Sequence, residues 1–133
     1  MKYLFDSSAI FRAIKENKIE ALSGNFTLEL ARYELGNILW KEHTLHATLS
    51  KHEAKALAKT INHTLTIMDT IETAGHEEEI LENAINQKIT YYDASYAYLA
   101  KTKQLTLITE DIRLTKKITP TTNTSTLDRV NMT

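Results

Sequence analysis

The chain has no cysteine, one proline and three glycines in its 133 residues, and each scarcity excludes something. Without cysteine there are no disulfides, no thiolate chemistry and no cysteine-based zinc site. That is what a protein of the reducing cell interior can do without, so the expected address is the cytoplasm. With so little glycine and proline, the chain is not loop-rich or low-complexity, and regular structure should dominate. Long apolar runs are missing too. The stretch that begins at Tyr3 is cut by Asp6, too soon for a signal peptide, and no segment approaches the roughly 20 apolar residues of a membrane span. Neither sign of charge is in excess, the formal net charge being −1. Any polyanion must therefore be met by a local patch rather than by the field of the whole molecule.

What is present is enough for one domain over residues 1–133, with 42% hydrophobic and 25% charged residues to build a core and a surface. Residues 2–5 read as a strand, and Asp6-Ser7-Ser8 as the turn and N-cap of a helix reaching Lys15 with Ile10, Phe11 and Ile14 on one face. Phe26, Leu28 and Leu30 alternate as a short strand does. A helix over 31–46 follows, with Leu35, Ile38, Leu39 and Leu45 as its apolar stripe. The next, over 50–66, opens on a Ser50–Glu53 capping box and turns Ala54, Leu57, Ala58, Ile61 and Leu65 inward, ending in Ile67-Met68. A helix over 77–87 presents Ile80, Leu81, Ala84 and Ile85. Another runs over 91–102, then a buried strand over 105–108 and a short helix around 113–117. The threonine-rich stretch after Pro120 suits either a final edge strand or a poorly ordered tail, with the strand preferred. Short apolar strands alternating with helices predict an α/β fold: a mostly parallel sheet covered on both faces, with ligands bound beyond the carboxyl ends of its strands.

Four acids stand at junctions of these elements: Asp6 and Asp111 after predicted strands, Asp93 at a helix start, and Glu34 inside a helix. Singly, Asp6 and Asp111 could be helix caps and Asp93 a partner for a helix dipole. Glu34 has no such role. Together, with Ser7, Asn37 and Thr109 beside three of them, they form the pattern of a metal site. Clustered carboxylates repel and raise each other's pKa until a cation compensates, and an oxygen-only set suits magnesium or manganese.

On these residues the chain resembles the PIN-domain family, and within it the VapC-type ribonuclease toxins of toxin–antitoxin pairs. The resemblance is carried by the strand ending in Asp6-Ser-Ser, by Tyr-Glu-Leu-Gly-Asn around Glu34, by Tyr-Asp-Ala-Ser-Tyr around Asp93, and by Leu-Ile-Thr-Glu-Asp ending at Asp111. It implies a three-layer sandwich and an acidic pocket of Asp6, Glu34, Asp93 and Asp111, supported by Ser7, Asn37 and Thr109. Asp6, Asp93 and Asp111 would hold Mg2+ or Mn2+. Glu110 competes for the last place, and the family's Thr-x-Asp spacing favours Asp111. The implied activity is endonucleolytic hydrolysis of RNA to a 5′-phosphate and a 3′-hydroxyl. The implied partners are a small VapB-like antitoxin and a second copy of the chain, for which the helix face around Ile38, Trp40 and Leu45 is a candidate contact.

Backbone contacts to RNA are expected from Arg113, Lys116 and Lys117, with Lys101 and Lys103 as further cations and Tyr91, Tyr92 and Tyr96 as stacking platforms or core. Lys51, Lys55 and Lys59 recur at helical spacing as a solvated face. Other acidic pockets fit less well. A receiver-type signalling domain wants paired acids after the first strand and a lysine after the last. A dehalogenase-like phosphatase wants Asp-x-Asp where this chain has Ser8. His43 and His46 lack a third zinc ligand at a recognisable spacing. A non-catalytic binding module that has kept the fold is the alternative of another class.

Overall fold

The computed structural model describes residues 2–130. Five short strands are formed by Tyr3–Phe5 (β1), Phe26–Leu28 (β2), Asp69–Ile71 (β3), Thr106–Ile108 (β4) and Thr124–Ser125 (β5). The helices are Ser7–Lys15 (α1), Leu30–Thr44 (α2), Lys51–Thr66 (α3), Glu77–Gln87 (α4), Tyr91–Thr102 (α5) and Ile112–Ile118 (α6). All strand pairs are parallel, in the order β3-β2-β1-β4-β5. The expected α/β sandwich is present.

Strand alternation explains the two covered faces. In the β1–β4 register Leu4 lies opposite Leu107 and Phe5 opposite Ile108. Leu4 and Leu107 pack with Leu99 of α5 and Leu114 and Ile118 of α6. Phe5 and Ile108 point the other way, into a cluster with Ile10 of α1, Leu35 and Leu39 of α2, and Ile61 and Leu65 of α3. A strand buried on both faces needs apolar residues at successive positions, as Leu4-Phe5 of β1 and Leu107-Ile108 of β4 supply. Each such side chain, fully buried, contributes roughly 1.5–3 kcal/mol. A smaller cluster of Ile80, Ala84 and Ala94 joins α4 to α5.

Ser50 and Glu53 form the anticipated capping box at the start of α3. The anticipated last strand is reduced to two residues, followed by a single 3₁₀ turn over Leu127–Arg129.

Four readings are corrected. β3 was missed, because Asp69 and Thr70 are exposed and only Ile71 is partly covered; an edge strand this polar has no apolar signature. On α2 the buried row is Ala31, Leu35 and Leu39, while Leu45 is 60% exposed. Six residues beyond Leu39, it lies roughly 240° around the helix axis. On α4 the row Ile80 and Ala84 faces inward, leaving Leu81 and Ile85 exposed on the adjacent row. Ala58 likewise faces solvent. Among the described residues, no helix is long and apolar enough to cross a membrane.

Candidate active site

From the central strand β1 the chain moves to β2 on one side, and from its neighbour β4 it moves to β5 on the other. Such a reversal leaves a crevice at the carboxyl ends of the two strands. Asp6 follows β1 directly, and Thr109, Glu110 and Asp111 follow β4.

Asp6 is fixed by its own cap geometry. Its backbone N–H continues the ladder to the Ile108 carbonyl at 3.1 Å, and its extended conformation makes it the N-cap of α1. The carboxylate accepts hydrogen bonds from the Ala9 N–H at 3.0 Å and the Ser8 hydroxyl at 2.6 Å, and the Thr109 hydroxyl also bonds to it. Even so, burial outweighs these donors. With the Asp93 charge adding to it, burial pushes the carboxyl from 3.8 up to about 6.

The other acids surround it. Glu34 projects from the second turn of α2, and its Oε1 accepts the Tyr96 hydroxyl at 2.8 Å. Burial raises its pKa, bonds from Tyr96 and Ser7 oppose the rise, and Asp93 adds to it. Asp93 sits in the first turn of α5, where its backbone N–H donates to the Thr90 hydroxyl of the N-cap at 3.0 Å. Its pKa is raised by burial and then by the charge of Asp111. Asp111 is exposed and caps α6, Oδ1 accepting the Leu114 N–H at 3.1 Å. The four acids are thus one electrostatic unit, in which Asp93 acts on both Asp6 and Glu34 and is itself acted on by Asp111.

Glu110 belongs elsewhere. Its carboxylate accepts the Arg12 guanidinium at 2.6 Å through Oε1 and the Leu127 N–H at 2.8 Å through Oε2. Arg12 also binds Glu16 and Asp128. Glu110 therefore ties α1 to the 3₁₀ turn, while its own backbone N–H donates to the Ser8 hydroxyl at 3.0 Å. Asp111 alone of the adjacent pair borders the pocket with Asp93.

Two partners of the acids escaped the sequence reading. Ser8, not Ser7, donates to Asp6; Ser7 serves Glu34. A cap aspartate reaches forward two and three residues, which is the signal that could have selected Ser8. Tyr96 is fully buried, with its phenol raised far above the usual range by burial and by Glu34. It is core and site residue at once, not a stacking platform. Removing the hydroxyl with Tyr96→Phe leaves Glu34 short of a donor, and urea unfolding is expected to show a loss of about 1–2 kcal/mol. Unchanged stability would mean that the bond contributes nothing.

The remaining candidates divide. Arg113 and Lys117 line an open pocket of about 180 Å³ with Lys88, Thr90, Asp93 and Asp111. Lys116 is exposed and does not line it. Asn37 is exposed and makes no hydrogen bond to the acids among the described residues. Lys101 and Lys103 stand at the far end of α5, roughly 12–15 Å along its axis from Asp93. Tyr92 is exposed beside Asp93, and Tyr91 packs partly against Ile80 and Ala94. His43 is held at 2.8 Å from the Leu49 carbonyl.

Among the described residues, no three carboxylates or imidazoles converge closely enough to enclose a metal by themselves. The donor set is nonetheless hard oxygen only, and three of its four acids are raised by burial in a way that a cation would relieve. Such a set fits magnesium or manganese, which are commonly held by one or two carboxylates with water completing the shell.

Known proteins of Pyrobaculum aerophilum resemble the chain over most of its length. Exonuclease VapC9 of Pyrobaculum aerophilum is 34% identical over 119 residues, covering 88% of this chain and 86% of that protein. The crystal structure of PAE2754 from Pyrobaculum aerophilum matches with a TM-score of 0.80 at 28% identity, over 96% of this chain and 90% of that one. No family model matches.

Proposed function

Because the chain belongs to the VapC family of PIN-domain proteins, we propose that it is a metal-dependent endoribonuclease that hydrolyses phosphodiester bonds at the acidic crevice. The observation that carries this reading is the electrostatic unit itself. Asp6, Glu34 and Asp93 are all pushed upward by burial, and the charge of Asp93 reaches both of the others. Such perturbation is common where groups are tuned for chemistry.

Asp6, Asp93 and Asp111 would hold Mg2+ or Mn2+ in part through water. When bound, the ion would acidify the attacking water and offset the charge that builds on the phosphate. Glu34, half-buried and made more basic than an ordinary glutamate by burial, is suited to take the proton of the attacking water. Tyr96 and Ser7 orient its carboxylate, while Ser8, Thr109 and the Ala9 N–H fix Asp6. The substrate is single-stranded or looped RNA, whose splayed bases can reach an exposed aromatic such as Tyr92. The products carry a 5′-phosphate and a 3′-hydroxyl. A VapB-like antitoxin and a homodimer complete the proposal, with the exposed Trp40 of α2 and Leu45 at its C-cap offering apolar surface for such contacts. The cytoplasm is the setting.

The test is cleavage of a mixed RNA pool by the purified protein with magnesium, manganese or chelator, beside Asp93→Asn. Cutting that needs the metal and falls by about 10²-fold or more in the variant supports the reading. A folded, antitoxin-free wild type that cuts nothing removes it and advances a non-catalytic module. The relative's designation as an exonuclease favours a second reading of the cleavage mode. A circular RNA decides between them, since an endonuclease opens it and an exonuclease leaves it intact.

A further inference from the structure

Beside the acids stand three cations with no ion-pair partner among the described residues. Lys88, Arg113 and Lys117 share a pocket with Asp93 and Asp111. The Lys117 ammonium donates instead to the Lys88 carbonyl at 3.0 Å, which holds it on one lip of the pocket. Asp111 is engaged by the Leu114 N–H.

Lys88 is placed there by an uncommon backbone. It terminates α4 in the left-handed region, with φ 57°, where glycine or asparagine is the ordinary residue because a Cβ crowds the following carbonyl. Four non-glycine residues among those described have positive φ, and Lys88 is the one lining the pocket of Asp93 and Asp111. Strained positions held against a ready alternative tend to mark functional sites. Glycine would serve the turn as well, so the turn alone does not account for a lysine at the edge of this pocket.

We propose that Lys88 is a substrate-binding residue which, with Arg113 and Lys117, forms a subsite for a backbone phosphate of the RNA strand next to the scissile one. This rests on the ribonuclease reading above. The two kinds of charge in the pocket sort the strand: the scissile phosphate goes to the acids and their metal, and its neighbour goes to the cations. A pocket of about 180 Å³ is of the size of a phosphate with part of its ribose.

Lys88→Gly separates the charge from the fold, because it removes the ammonium and supplies the residue that the left-handed backbone favours. Its melting temperature should equal or exceed that of wild type. The effect on cleavage of single-stranded RNA should fall on KM, raised about three- to tenfold, rather than on kcat, and the salt slope of RNA binding should become shallower by about 0.7. Binding is measured in the Asp6→Asn background, which leaves the RNA uncut. Lys88→Arg should restore both quantities. A Lys88→Gly protein with wild-type KM and salt slope overturns the subsite while leaving the nuclease standing, as does a loss confined to kcat. A wild type that neither binds nor cuts RNA overturns both.

Discussion

Asp6→Asn is expected to stop cleavage and at the same time to stabilise the protein at neutral pH. The fold holds this carboxyl at about 6 against 3.8 for a free side chain, mainly through burial. A difference of that size corresponds to about 3 kcal/mol between the protonation states. The sign follows from linkage. Because the folded pKa is raised, the fold favours the protonated form, so the stability this group contributes is fully present below 3.8 and lost as pH rises through about 6. Asparagine carries no charge to desolvate, and its amide oxygen can still accept from Ala9 and Ser8 as a helix cap should. Urea unfolding in chelator should therefore find the variant more stable than wild type by about 1–3 kcal/mol at pH 7, with the gap closing by pH 4. Magnesium should raise the melting temperature of wild type and leave the variant unmoved. Equal stabilities at pH 7 would show that Asp6 is not held against its charge.

The adjacent acids Glu110 and Asp111 should fail in opposite ways. Glu110→Ala removes the acceptor of both Arg12 and the Leu127 N–H. Losing part of a partly buried ion-pair network and orphaning a backbone donor should cost about 1–3 kcal/mol, while turnover per folded molecule stays within a few-fold. Asp111→Asn keeps the α6 cap, since asparagine caps about as well as aspartate, so stability should change by less than about 0.5 kcal/mol. Its cleavage rate should fall by about 10²-fold or more. Calorimetry and initial rates on the same preparations separate the two. An inactive but stable Glu110→Ala would reverse the assignment.

These two residues also mark how far the sequence could be read. Thr-x-Asp spacing favoured Asp111, but nothing local to Glu110 announced that its partner is Arg12, 98 residues away. Tyr96 is the same case: a tyrosine on an apolar helix reads as core, and its bond to Glu34 spans 62 positions. Signals that lie within one turn were legible. Bounds 77–87 and 91–102 coincide with α4 and α5, and the Ser50–Glu53 box opens α3. The positions of Asp6, Asp93 and Asp111 followed from strand ends and a helix start, because apolar runs and caps are local, whereas Glu34, inside α2, was singled out only by the family resemblance. β3 was invisible because two of its three residues face solvent and only pairing with β2 makes it a strand. Leu45 and Ile85 were placed in the core because periodicity locates an apolar side without saying how wide a strip its neighbours cover.

The register of the central sheet governs when the site comes into being. Tyr3, Leu4 and Phe5 pair with Thr106, Leu107 and Ile108, so the first strand made finds one of its two neighbours only after nearly the whole chain exists. Closing a loop of that length costs on the order of 4 kcal/mol in chain entropy before any contact repays it, and such long-range parallel pairing is slow to form. Asp6 and Asp111 lie on the two sides of that closure. A chain still short of β4 on the ribosome therefore carries the first acid without the last, and the acidic pocket can close only once β4 has been made and paired with β1.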